Sequence, residues 1–398
     1  MKLFFRLGCF AIVGLMFILP NQAMAGKNTF KFFEDMEIHG FVSSSYSYNL
    51  NKPQSQTNCG VAPLAGCARI FDQDDNSFKL DNTELVFLKD TPDAGDIGFR
   101  FDLTFGFSLP ETAQRAGSSA SSPASSPLAT GNDDFDLQQA YVSWKAPIGN
   151  GLQLDFGKFI THVGAEVFEG YDGWNMNFSR TFVFGWGIPF THTGLRATYA
   201  FTDQLSVMGM VANNWEESGV NDNNTDKTYG LQVAYSPTDK IGVLLNWAGG
   251  NQGTTGGGTP STNSNFRHIY DIVVDIALTS QLSLQLNGDY GTEQNGDTIT
   301  GGTAQWWGYA GIARYDINKW FSMNLRSAYF NDADGFRMGA MNNKLWEVTV
   351  TPEFRINENM VVRLEYRHDE SNIAVFEDEN GAGTGHQDTF AMNALIHF

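Results

Sequence analysis

Along most of this chain, apolar and polar residues alternate one by one. From 97 to 109 the alternation is unbroken: Ile97, Phe99, Phe101, Leu103, Phe105, Phe107 and Leu109 share one face, and Gly98, Arg100, Asp102, Thr104, Gly106 and Ser108 the other. Side chains of a strand point to opposite faces with period two, so this strand meets something oily on one side and something wet on the other. The pattern returns at 229–235, 241–247, 270–278, 321–329, 362–366 and 390–398. It predicts about sixteen strands (fourteen to eighteen): 37–50, 77–89, 97–109, 135–146, 151–161, 191–201, 204–215, 227–236, 240–250, 266–279, 281–290, 304–316, 320–330, 344–356, 360–370 and 388–398. The second strand is irregular, because its apolar face switches between Leu80 and Leu85. Pro352 removes a ladder donor near the end of another.

Short connections repeat one theme: Thr202-Asp-Gln-Leu, Thr238-Asp-Lys-Ile, Thr279-Ser-Gln-Leu, Asn318-Lys-Trp and Asn357-Glu-Asn-Met. Each is followed by a strand and then by a longer polar loop, as at 250–265 and 371–387; a Ser/Ala/Pro tract fills 110–130. Strand, short turn, strand, long loop is an up-and-down antiparallel meander.

A soluble sandwich also alternates, so other features decide. Most strands have about the length that a tilted strand needs to cross hydrocarbon. Tyr or Trp stands near the ends of many apolar faces (Trp144, Tyr199, Trp215, Tyr235, Trp247, Tyr290, Tyr315, Trp320), as in interfacial girdles. The opposite faces are too charged to form a dry core. In a bilayer every backbone group needs a partner, so a spanning sheet must close. The expected fold is all-β: a transmembrane antiparallel β-barrel with short periplasmic turns and long outward loops.

The ends fit export. Lys2 and Arg6 precede an apolar run, and Ala23-Met24-Ala25 follows, so 1–25 reads as a cleaved signal peptide. Residues 26–36 are then a short periplasmic segment, and 37–398 a single barrel domain. The chain carries a net charge of −19; losing the two signal bases leaves −19 − 2 = −21. Such acidity argues against nucleic acid as a partner. Cys59 and Cys67 lie close together in a Gly/Ala/Pro-rich loop of an exported chain, where a local disulfide is expected. Phe398 ends an alternating strand and resembles the signal by which outer-membrane barrels reach the barrel assembly machinery.

Tyr141-Val-Ser-Trp-Lys-Ala-Pro147, Phe156-Gly-Lys-Phe159, Gly164-Ala-Glu166, Asn177-Phe-Ser-Arg180 and Pro189-Phe-Thr-His-Thr-Gly194 resemble the OmpL-like beta-barrel porin family. The resemblance runs through most of the mature chain and is densest from 135 to 201. It implies an outer-membrane channel among lipid and lipopolysaccharide and names no solute. A homotrimer is an expectation by analogy alone.

Sixteen strands enclose an aqueous lumen, whereas about eight are filled by side chains. Inward parity places Arg100, Asp102, Arg196, Arg326, Arg363, Glu365 and Arg367 on the lumen wall. One segment, 162–190, breaks the pattern. It is rich in glycine and holds Phe168, Tyr171, Trp174, Phe178, Phe182, Phe184, Trp186 and Phe190. These aromatics are costly to expose and their backbone is costly to bury in lipid, so an inward fold that narrows the channel is the expectation. Glu166, Glu169 and Asp172 would be the constriction acids, and Lys158 and Arg180, which flank the loop's two ends, are candidate partners for those acids that would hold it in place. Two arrangements are open. Acids and the arginines Arg326, Arg363 and Arg367 face each other across the passage and set up a transverse field, or the arginines pair locally with Glu347 and Glu365.

Rival functions are an outer-membrane phospholipase-type enzyme and an adhesin or structural barrel. No Ser/His/acid set stands out, although His268 has outward parity. His162 and Glu166 are four apart, but in a loop, where that spacing means little for a metal. No enzyme activity, cofactor or metal is expected. The acidic outward stretches, such as Asp369-Glu370 and Glu377-Asp378-Glu379, read as solubilising rather than as cation sites.

Overall fold

The computed structural model describes residues 35–64, 66–106, 135–215, 226–252, 265–297 and 299–398. The signal peptide, residues 26–34, the end of the third predicted strand (107–109) and the Ser/Ala/Pro tract lie outside them.

Sixteen long strands close on themselves. They are β1 (Glu37–Asn49), β2 (Ser77–Lys89), β3 (Ile97–Phe105), β4 (Phe135–Ala146), β5 (Leu152–Ile160), β6 (Thr191–Thr202), β7 (Leu205–Ala212), β8 (Thr228–Thr238), β9 (Ile241–Asn251), β10 (Phe266–Ala277), β11 (Leu282–Glu293), β12 (Ala304–Asp316), β13 (Phe321–Asp332), β14 (Asn343–Arg355), β15 (Met360–Ser371) and β18 (His386–His397). A small hairpin, β16 (Phe376–Glu377) with β17 (Gly383–Thr384), sits in the last long loop. A single π-helical turn, Val183–Gly187, is embedded in the β5–β6 loop. Each barrel strand pairs with its chain neighbours, and β1 closes the ring antiparallel to β18.

The two faces follow the alternation. On β10, Tyr270 and Ile272 are exposed while Asp271 between them is buried. On β13, Leu325 is 50% exposed and its neighbour Arg326 0%. Large apolar residues that face outward beside buried polar ones make sense when the outer solvent is lipid. The face switch of β2 is real: Lys79 and Asp81 are buried, then Glu84 and Val86, so the inward parity changes between 81 and 84.

The repeated short turns have one physical explanation. The Thr202 hydroxyl accepts the backbone N–H groups of Gln204 and Leu205, and Thr279 does the same for Gln281 and Leu282. Asn318 and Asn357 use their side-chain carbonyls in the same way, toward Trp320 and Phe321 and toward Asn359 and Met360. Each side chain satisfies the donors that the hairpin leaves free.

One girdle expectation is corrected. β7 ends at Ala212, three residues before Trp215, and Trp215 turns inward instead of facing lipid. It is 2% exposed, with the Arg267 guanidinium 5.1 Å from its ring.

Candidate functional site: the lumen and its inner loop

The β5–β6 loop runs through the barrel interior. All ten residues from 181 to 190 are buried. Phe168, Phe184 and Phe190 pack as a cluster, with ring centres 5.1 to 5.5 Å apart. The Trp306 indole on β12 donates to the Gly187 carbonyl at 2.9 Å. Tyr171 and Trp174, near the loop tip, pack on Phe41, Val361 and Leu395. Those residues lie near the strand ends that carry the short turns. The loop therefore reaches down most of the lumen's length.

Its hold on the wall is polar and specific. On β13, Arg326 donates to Glu166 at 3.2 Å, to Glu347 at 2.7 Å and to the Ser179 hydroxyl at 3.0 Å. On β15, Arg363 donates to Glu169 at 2.8 Å. Glu365 accepts the backbone N–H groups of Phe178 (2.7 Å) and Ser179 (3.0 Å). Asn177 reaches Thr351 on β14 at 2.7 Å. On the other side, Glu84 of β2 accepts the Tyr171 N–H, and Arg100 of β3 pairs with Asp172 at 2.9 Å.

The acids and arginines expected to face one another across a passage are thus in direct contact. Arg326, Arg363, Arg367 and Glu365 are at most 4% exposed. They lie sealed beneath the loop, so a transverse field between them and Glu166 or Glu169 is replaced by ion pairs. Local pairing holds for Arg326 with Glu347, while Arg367 pairs mainly with Asp369 at 2.6 Å. Lys158 does not meet the loop acids; it pairs with Asp136 on β4 at 3.0 Å. Arg180 does meet one, with Glu169 at 3.6 Å. Burial would raise the Glu169 carboxyl, but Arg180 and Arg363 outweigh it and hold it below the usual carboxylate range.

The opposite arc of the wall is wetter. The side chains of Arg100, Lys158 and Arg196 are 14%, 20% and 23% exposed, and Asp172 is 47%. Asp102 and Asp155 balance Arg100 and Arg196, each at 2.9 Å. A cavity of about 300 Å³ opens here toward the short-turn end, lined by Thr91, Tyr141, Ser143, Gln153 and Asp155 among others. A smaller one of about 40 Å³ lies between the loop's Phe168, Glu169 and Arg180 and the wall's Ser43, Asp81 and Gln138.

In the loop between β1 and β2 the sequence pattern pointed to Cys59 and Cys67 but not to the residues that follow them. Cys59 and Cys67 form a disulfide there, and Arg69 beyond it pairs with Asp369 of β15 at 2.7 Å. An arginine two residues and a phenylalanine four residues after Cys67, in an outward loop, were the available signal.

A close approach in the β11–β12 pair makes one test direct. Gly291 lies opposite Trp306, and a Cβ on it would sit 2.1 Å from the indole. Gly291→Ala is expected to push the indole off Gly187 and to cost about 1–3 kcal/mol. A thermal melt of the detergent-solubilised barrel checks this; an unchanged midpoint contradicts it.

Solved structures share this architecture. Pseudomonas putida OprB, in a high-pH structure, superposes with a TM-score of 0.59 at 12% identity, over 94% of this chain and 96% of that one. An anion-selective porin from Comamonas acidovorans gives 0.55 at 12%, over 91% and 99%. OmpT of Vibrio cholerae, in a trimer form, gives 0.56 at 10%, over 91% and 99%. At such identities the likeness shows the fold alone. No curated protein matches the chain in sequence. Residues 35–398 match the family described as "Putative beta-barrel porin-2, OmpL-like". With its closed sixteen-strand barrel, its oily outer face and its charged interior, the chain belongs to this family of porin-like outer-membrane barrels.

Proposed function

We propose that the chain is a passive channel for small hydrophilic solutes or ions, narrowed by the loop 162–190. The observation that carries this reading is the uneven exposure of the inward charges. Arg326, Glu347, Arg363, Glu365 and Arg367 on β13–β15 lie under the loop, whereas Arg100, Lys158 and Arg196 of the opposite arc, and the loop's own Asp172, keep contact with water. The open lane then follows β2–β6. Each of its basic groups Arg100, Lys158 and Arg196 is paired with an acid, so it presents polar groups of both signs to a solute. The reading is diffusion rather than catalysis.

Partners follow from the same reading. The exposed apolar belt fits outer-membrane lipid, with lipopolysaccharide around the outward loops. Phe398, 66% exposed at the end of the chain, suits recognition by the barrel assembly machinery. A homotrimer is supported by the trimer form of Vibrio cholerae OmpT. Residues 1–25 serve as the export signal.

Planar-bilayer recording of the purified barrel, with liposome swelling in sugars and amino acids of graded size, tests the proposal. Discrete conductance steps and a sharp size limit are expected. Absence of both ion current and swelling would remove the channel reading.

A further inference from the structure

The loop between β1 and β2 does not stay above the barrel mouth. Asn58, Ala68, Arg69, Ile70, Phe71 and Asp72 are all at least nine-tenths buried. Two of them, Ala68 and Phe71, sit against the inner loop. The Ala68 carbonyl accepts the Trp186 indole N–H at 3.1 Å. The Phe71 ring lies 6.0, 5.7 and 6.0 Å from those of Phe168, Phe184 and Phe190, and the Arg180 guanidinium stands 5.1 Å from it.

Two anchors fix this segment. On the inside, Arg69 donates to Asp369 at 2.9 and 2.7 Å and to Asp72 at 2.8 Å. Asp369 belongs to the wall, so the segment is tied to β15 through a buried ion pair. On the outside, the disulfide joins Cys67 to Cys59, eight residues back, and the Ala68 N–H donates to the Cys59 carbonyl at 2.9 Å. The disulfide is partly exposed, while the residues it presents are not.

We infer that residues 68–72, shaped by the Cys59–Cys67 disulfide, are a latch that sets the position of the inner loop and through it the channel's conductance. The inference rests on the channel reading. The acids and arginines within the lumen hold the middle of the inner loop to β13–β15. The latch packs on the loop's aromatic cluster, Phe168, Phe184, Trp186 and Phe190, through ring contacts and one indole hydrogen bond. A short covalent ring restricts the alternatives open to Ala68 and Arg69, so the contacts form without ordering the whole β1–β2 loop.

Reduction after insertion into a bilayer tests the latch without disturbing folding. Dithiothreitol breaks the one S–S bond and yields two thiols. The reagent gives up two electrons and two protons and closes to its own cyclic disulfide. Single-channel currents are recorded from the wild-type protein before and after reduction, with thiol titration to confirm completion. Cys59→Ser with Cys67→Ser, and separately Arg69→Ala, are recorded alongside. Reduction is expected to raise the mean conductance and to increase open-channel noise several-fold. The double serine variant should start in that state and ignore the reagent, and Arg69→Ala should share its noise. Wild-type conductance and noise unmoved by complete reduction would overturn the latch. A protein that conducts in no state fails the channel reading instead, so the two failures are distinguishable.

Discussion

Arg326→Ala is expected to free the middle of the inner loop and to destabilise the barrel. Arg326 is 0% exposed and holds Glu347 of the wall and Glu166 of the loop at once. Its removal leaves both carboxylates buried with fewer partners. Glu166 keeps the Thr181 N–H at 2.9 Å, and Glu347 keeps only a distant Arg367 guanidinium, at 3.8 Å, as counter-charge. Stripping one partner from a buried pair costs about 3–5 kcal/mol, mostly because the remaining charge is stranded. The urea midpoint of the refolded barrel should fall accordingly, and its channel should flicker. Arg326→Lys should rescue only part of the loss, since an ammonium cannot reproduce a planar fork that serves Glu166, Glu347 and Ser179 together. An unchanged midpoint together with a quiet channel would show that the pair does not anchor the loop.

Replacing 166–187 with a short Gly/Ser linker should have the largest effect on permeation. The excised segment carries Glu166, Glu169, Asp172 and Arg180, so the interior changes by +3 − 1 = +2 charges. It also uncovers Arg326, Arg363 and Arg367, which the loop now seals. Conductance should rise several-fold, and the reversal potential in a salt gradient should move toward anions. β-sheet circular dichroism serves as the folding control. A folded variant with wild-type conductance and wild-type selectivity would mean that the segment does not border the pathway.

The fold was largely legible because lipid outside and water inside force a period-two code. Leu325 next to Arg326 shows the rule at its sharpest. The face switch of β2 was visible for the same reason, and so were the five repeated turns, since the Thr or Asn that opens each is itself the cap. The site was legible only in part. That 162–190 is too aromatic for a surface loop follows from composition. Which wall it leans on does not, because Arg363 and Glu169 are 194 residues apart and nothing local pairs them. Lys158 was misassigned because proximity in sequence to the loop acids counted for more than the strand register, which brings it opposite Ala140, four residues from Asp136. Trp215 was misassigned because its spacing continues the strand pattern beyond the point where β7 ends.

The inner loop also divides the barrel mechanically. From β12 to β15 the wall is backed by packed aromatics and buried ion pairs, so it behaves as a thick, stiff arc. From β4 to β9 many inward side chains are only partly covered, and the wall there is closer to a single sheet. A ring with one stiff arc and one compliant arc does not deform evenly when the surrounding bilayer squeezes it. Bending concentrates in the thin arc, which shares β4–β6 with the proposed lane, so under the channel reading changes in lipid thickness or lateral pressure would act on the aperture itself.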